Sequence, residues 1–220
     1  IDDAGGYACE LLSILLHGSE EAQRCLGERG AVEQLLHVVS ALRKRDPKNP
    51  EEEEFIENAF DALCSLLLLP ENQGRFDDAE GTNLMIIILK NHVFASSSAL
   101  KVLDFQLSNN PPGCIAFVEA LGLKTLFPII LKGLRRSHAP EREVDEHVVS
   151  CILSLFKYLE QGERRSRLLS KFTEEGGQKL VRLVEMHKKY DSLVRAADLK
   201  SRPRAVAGSV EDEEQRFLDR

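Results

Sequence analysis

Four times in this chain a glycine is followed at once by an amphipathic helical segment. The segments are Gly30-Ala31-Val32-Glu33-Gln34-Leu35-Leu36, Gly81-Thr82-Asn83-Leu84-Met85-Ile86-Ile87, Gly122-Leu123-Lys124-Thr125-Leu126-Phe127 and Gly177-Gln178-Lys179-Leu180-Val181-Arg182-Leu183. A longer helical segment precedes each one. The glycines recur at intervals of roughly 40 to 55 residues, a repeat length with insertions. A unit of this kind cannot bury its apolar face alone, so successive units must stack. Stacking makes a long continuous surface and no enclosed pocket. The chain is therefore expected to bind other macromolecules and to catalyse nothing.

Helix, short turn, glycine and second helix at this period read as an all-α, armadillo/HEAT-like right-handed solenoid of stacked helical repeats. About four units are expected over residues 1–199, at 1–45, 51–92, 96–134 and 143–199. A linker follows over 200–210, and 211–220 reads as the start of a truncated next helix. In the first unit helices are expected over 7–17, with Ala8, Leu11, Leu12 and Leu15 on one side, then 20–27 and 31–44. Pro47 and Pro50 close a loop, and Glu51-Glu52-Glu53-Glu54 opens a helix that suits the positive end of its dipole. That helix runs to Leu69, where Pro70 ends it, and 71–77 forms a bridge to the helix 82–92. Ser96-Ser97-Ser98 is expected to cap a helix over 98–108. Further helices span 114–120, 123–134 with a kink at Pro128, 143–160, 164–172 and 177–197. In 143–160, Val144, Val148, Ile152, Leu155, Phe156 and Leu159 make one apolar stripe.

Composition removes several function classes. The net charge of −7 argues against nucleic-acid binding over the whole surface, and no sequence-specific nucleic-acid contact is expected. Five scattered cysteines without a CxxC point to a reducing intracellular compartment. No apolar run approaches the roughly 18 residues of a membrane span, so no membrane partner is expected. The start at Ile1-Asp2-Asp3 reads as the beginning of a fragment. No phosphate-binding, nucleophile-elbow or zinc-protease motif is present, and no cofactor is expected. His147 and Cys151 share a helix face, but two ligands fall short of the about four of a zinc site, so no metal is expected. His187 falls in the stripe of Leu180, Leu183, Val184 and Tyr190, where a helix-packing role is expected. The basic runs Arg135-Arg136 and Arg164-Arg165 with Arg167 and Lys171 are either solvated turns or contacts for phosphate or acidic peptide.

Ser97-Ser98-Ala99-Leu100-Lys101-Val102-Leu103-Asp104 resembles a signature of the beta-catenin-like protein 1 family, nuclear armadillo proteins associated with the spliceosome. So do Leu121-Gly122-Leu123-Lys124-Thr125-Leu126-Phe127-Pro128 and Arg165-Ser166-Arg167-Leu168-Leu169-Ser170-Lys171-Phe172-Thr173-Glu174. Arg182-Leu183 with Glu185, His187 and Lys189-Tyr190 is similar to the same family's next helix. The resemblance runs from about Tyr7 to the end and would make this chain the central repeats. It implies an armadillo superhelix, a nuclear location, and a non-catalytic protein-interaction scaffold for pre-mRNA splicing. Its implied partners are splicing factors and the Myb-like cell-division-cycle subunit of the NineTeen complex, with homo-association as a further expectation. The family is also linked to recognition of nuclear-localisation segments, which makes a nuclear-transport-type adaptor the alternative. Import adaptors hold their ligands with a Trp–Asn ladder. This chain has no Trp, and the corresponding positions read Ile14, Ser65, Val102 and Leu155.

The glycine-led helices are expected to line a partner-binding groove with their polar stripes. The candidate residues are Glu33, His37, Asn83, Lys90, Lys124, Lys132, Arg182 and Lys189, with Ser40, Lys44, Thr125, Gln178 and Glu185 beside them. Cations outnumber anions along this stripe, so a neutral or acidic extended segment is the expected ligand. A basic segment would use another surface, such as the acidic turn Glu51–Glu54.

Overall fold

Short polar side chains and prolines set where the helices of this chain begin. At Asn49-Pro50 the Asn49 Oδ1 accepts from the amide of Glu52 at 2.9 Å, and the proline occupies the first turn, where its missing N–H costs nothing. Asn110 does the same for the amide of Gly113 at 3.1 Å, ahead of Pro111, and Ser19 for Ala22 at 3.2 Å. The computed structural model describes residues 3–41, 43–135 and 138–201. Over them the chain forms α1 (Asp3–Leu16), α2 (Glu20–Glu28), α3 (Ala31–Ser40), α4 (Pro50–Leu66), α5 (Pro70–Asp78) and α6 (Gly81–Asn91). It continues with α7 (Ser96–Leu107), α8 (Pro111–Glu119), α9 (Leu123–Lys132), α10 (Glu141–Tyr158), α11 (Glu163–Thr173), a 3-10 turn (Glu174–Gly177) and α12 (Gln178–Ser201). The described residues contain no strand.

The recurring unit is a triplet of long helix, short helix and glycine-led helix. The turn into the last member passes through the left-handed region: at Gly30 (φ 79), Glu80 (φ 58) and Leu121 (φ 60) in the first three units, and at Glu175 (φ 54), Gly176 (φ 68) and Gly177 (φ 78) in succession in the fourth. In the second and third turns the left-handed residue is not the glycine. Gly81 and Gly122 follow it, and they are glycine for a steric reason. A Cβ on Gly81 would lie 2.7 Å from the Phe76 ring, and one on Gly122 would lie 2.4 Å from the Phe117 ring.

Among the described residues, those up to 180 form one compact unit and those from 181 on belong to a second. In the first, α4 packs between α1 and α7, and α10 packs on the other side of α7. The glycine-led helices sit on these: α3 on α4, α6 on α7 and α9 on α10. The interior is aliphatic with four fully buried rings, Phe60, Phe76, Phe117 and Phe127. The expected stripe of α10 is buried at Val144, Val148, Ile152, Leu155 and Leu159, with Phe156 half-buried. The second unit, through residue 201, is the remainder of α12. There Val181, Val184, Leu193 and Val194 are exposed and Met186 is buried.

Polar side chains of the short helices anchor the ends of the long helices, and some reach the neighbouring triplet. A helix leaves its last carbonyls without intrahelical partners. Gln23 Nε2 donates to Leu16 O at 2.9 Å, Asn72 Nδ2 to Leu66 O at 3.0 Å, and Arg165 Nη1 to Phe156 O and Leu159 O at 2.7 and 2.9 Å. Asn72 Nδ2 also reaches back to Gln23 O at 3.0 Å, and Gln73 Nε2 reaches forward to Phe105 O and Ser108 O.

Several local expectations are corrected. Residues 71–77 are not a bridge but lie in α5, whose first residue is Pro70. Ser96, Ser97 and Ser98 are the first three residues of α7 and are buried, and Ala95 holds the cap position without a side-chain bond. Ser96 Oγ instead donates to Ile88 O at 3.3 Å. On α1 the buried residues are Cys9 and Leu16, whereas Leu11 and Leu15 are 60% and 62% exposed, because α1 turns its other side to α4. His187 is exposed, not packed, and Leu180 and Val184 beside it are about half in water. Val102 and Leu155 are fully buried and cannot be groove positions. The expected linker overlaps the end of α12 at residues 200–201, and 202–220 lie outside the described residues, as does the helix expected there.

Candidate protein-docking faces

Within residues 1–180 the long helices carry a chain of polar contacts from one repeat to the next. Ser13 Oγ on α1 lies 3.2 Å from Asn58 Oδ1 on α4. Three residues along α4, Asp61 accepts from Lys101 Nζ of α7 at 2.8 Å. Three residues along α7, Asp104 Oδ2 lies 2.9 Å from His147 Nδ1 of α10, and Glu143 stands 3.9 Å from the other ring nitrogen. Each step moves one helix over and about one turn along, so the contacts run across the stack as a band. The segment before α10 closes on it. The His138 ring stacks on Phe94 at 4.1 Å, lies 3.1 Å from Ser97 Oγ, and stands 3.5 Å from Glu57.

At one end of this band an open hollow of about 610 Å³ lies between α1 and the start of α4. Tyr7, Glu10, Glu51, Glu54 and Phe55 line it together with Glu52. The four glutamates of this turn differ in role. Glu52 is buried; it accepts from Arg45 Nη2 at 2.5 Å and from the Lys48 amide at 2.7 Å. The Arg45 hydrogen bond first, and the Lys48 amide second, hold its carboxyl at about 2, below its ordinary 4.5. Glu52 therefore fastens the loop to α4. Glu51, Glu53 and Glu54 stay exposed, with Glu51 and Glu54 turned to the hollow.

The expected groove residues lie on the other layer of helices. Glu33 and His37 are exposed on α3, Asn83 and Lys90 on α6, and Lys124 and Lys132 on α9. No hydrogen bond or ion pair joins one of these six to another. Arg182 and Lys189 belong to the second unit; Arg182 is half-buried with Glu185 at 3.8 Å, and Lys189 Nζ stands 5.1 Å above the Tyr190 ring. Lys124 has a different company from the one expected. It lines an open hollow of about 160 Å³ with Leu121, Leu123, Arg167, Ser170 and Lys171. The sequence marks Lys124 and the Arg167–Lys171 run separately, and only the packing of α11 on α9 brings them to one place. No cluster of His, Cys, Asp or Glu able to hold a metal occurs among the described residues. All five cysteines are free thiols, four of them buried.

The family model for catenin-beta-like, Arm-motif containing nuclear proteins matches residues 1–220. Beta-catenin-like protein 1 of Mus musculus is 42% identical over 200 residues, covering 88% of this chain and 35% of the relative. The Homo sapiens protein of that name is 41% identical over the same shares. The Schizosaccharomyces pombe homolog is 36% identical over 184 residues, covering 82% and 32%. The chain thus spans about a third of the length of the curated relatives it matches. Two crystal structures of engineered proteins share the fold. One has a TM-score of 0.59 at 16% identity, over 82% of this chain and 43% of the other. The second has a TM-score of 0.58 at 15% identity, over 97% and 88%.

Proposed function

Because the chain belongs to the catenin-beta-like, Arm-motif containing nuclear family, we propose that it acts in the nucleus as a non-catalytic scaffold joining protein components of pre-mRNA splicing. The observation that carries the scaffold reading is the polar band across α1, α4, α7 and α10. It offers an extended partner segment a line of side chains on rigid helices. The resemblance of Ser97–Asp104 and Arg165–Glu174 supports splicing factors as the partners, among them the Myb-like cell-division-cycle subunit of the NineTeen complex. The test is capture from nuclear extract on the immobilised chain, read by mass spectrometry. Enrichment of NineTeen components is expected, with loss in an Asp61→Lys/Glu57→Lys variant that reverses the exposed charge of the band. Capture of no splicing protein overturns the reading.

A second reading has one observation in its favour. The hollow between α1 and α4 presents Glu10, Glu51 and Glu54 beside Tyr7 and Phe55, a composition suited to the cationic side chains of a nuclear-localisation segment. Burial of Val102 and Leu155 removes two positions that an import-type ladder would need. Titration with a fluorescent basic peptide decides: binding that Glu51→Lys/Glu54→Lys abolishes supports the adaptor, and none excludes it.

A further inference from the structure

We propose that the junction of α9 and α11 is a docking pocket for an acidic peptide segment that carries a bulky apolar side chain next to its carboxylates. The proposal rests on the scaffold reading and assigns one partner chemistry to it. Lys124, Arg167 and Lys171 line this hollow together, and none of the described carboxylates lines it. The carboxylates nearby are already engaged. Glu119 is bound by Arg164, and Glu174 by Lys171 at 2.8 Å and by Lys179 at 3.7 Å. Among the described residues Lys124 and Arg167 have no ion-pair partner. In a protein of net charge −7, two unpaired cations at one opening are a local reversal of sign. The floor between them is apolar: Leu121 is 43% exposed and adjoins Val118 and Leu123. A partner side chain such as leucine can cover that floor while flanking carboxylates meet Lys124 and Arg167. Rim charges then steer the encounter and the buried apolar contact holds it. Ser170 lies on the same rim and is exposed, so a negative charge placed there would meet the cations of the pocket.

The probe is a fluorescein-labelled peptide with one leucine flanked on each side by glutamates, titrated with the intact chain by anisotropy. Saturable binding is expected, and it weakens as salt rises because the contacts are exposed charges. Lys124→Glu/Arg167→Glu is expected to weaken it at least about tenfold, a free-energy change of about 1.4 kcal/mol. Ser170→Glu, which places a carboxylate on the same rim, is expected to weaken it as well. Arg29→Glu, which reverses an exposed cation at the end of α2, leaves binding unchanged. Circular dichroism checks that each variant is folded, and Lys124→Ala/Arg167→Ala replaces the double reversal if it is not. Absence of saturable binding, or equal binding by the double variant, overturns the pocket. Its failure is distinct from failure of the scaffold reading. A chain that captures splicing proteins but ignores the acidic probe refutes only the pocket, and one that binds the probe but captures none refutes only the splicing role.

Discussion

Gly81 and Gly122 lack side chains because the rings of Phe76 and Phe117 occupy the space a Cβ would need. The left-handed conformation falls instead on Glu80 and Leu121, where an L-residue is strained by about 1–2 kcal/mol. The two neighbours therefore respond oppositely. Gly122→Ala is expected to lower stability by about 1–3 kcal/mol, the usual cost of overpacking. Leu121→Gly is expected to raise it by about 1 kcal/mol, since Leu121 is partly exposed and gives up little packing. Urea unfolding of both variants measures the pair, and equal signs would show that the ring contact and the backbone strain are not separable as described. Glu52 gives a second residue-scale expectation. Its carboxyl is held at about 2, against an ordinary 4.5, by Arg45 and the Lys48 amide. A depressed folded-state pKa contributes stability above the unfolded value, and that stability is lost as pH falls from 4.5 toward 2. Glu52→Gln should flatten the dependence of melting temperature on pH in that window and leave its slope near neutrality unchanged. A slope equal to that of the parent chain there would assign the acid sensitivity to other groups.

At the scale of the helix, α5 shows where sequence reading succeeds and where it stops. The glycine-led helices and the stripe of α10 were legible because aliphatic residues recur there at helical spacing. In α5 the signal is absent. Pro70 reads as the stop of α4 but is the first residue of the next helix, Gly74 sits in its middle, and two of its buried side chains are the amides of Asn72 and Gln73. Its inward face is polar because it supplies hydrogen bonds to the ends of other helices, which no hydrophobic period records. The polar band was hidden for a related reason: Asp61, Lys101, Asp104 and His147 look like ordinary solvated charges until adjacent helices pair them. The pocket at Lys124 likewise depends on α11, distant in sequence. Asn72 tests the helix-end account. Its Nδ2 serves Gln23 O and Leu66 O, and its Oδ1 accepts from Arg75 at 2.7 Å. Asn72→Ala removes both donated bonds, leaving Leu66 O to the Leu69 amide alone, and is expected to cost about 1–3 kcal/mol. Asn72→Asp keeps the shape but loses both donated bonds, so it should cost at least as much. Toleration of the aspartate in urea unfolding would show that packing against Gly27, and not hydrogen bonding, holds this contact.

At the scale of the whole chain, stacked repeats contact only their neighbours, so the outer side of a stack has no partner within it. On α1 that side carries Tyr7, Leu11, Ile14 and Leu15, each between 59% and 67% exposed, while Cys9 and Leu16 face inward. Four large apolar side chains on two turns of one helix form a contiguous patch, which marks an interaction surface. The expected outcome is reversible self-association of the isolated chain, visible in sedimentation velocity as a concentration-dependent rise in the weight-average coefficient. Leu11→Glu/Leu15→Glu should abolish that rise. Both side chains already stand mostly in water, so the melting temperature at low concentration should stay within about 2–4 °C of the parent chain, a shift worth roughly 1 kcal/mol or less. Persistence of association in the double glutamate variant would move the contact to the exposed Leu153 side of α10. Leu153→Glu then discriminates between the two: loss of association there places the contact on α10, and its survival excludes both outer faces of the stack.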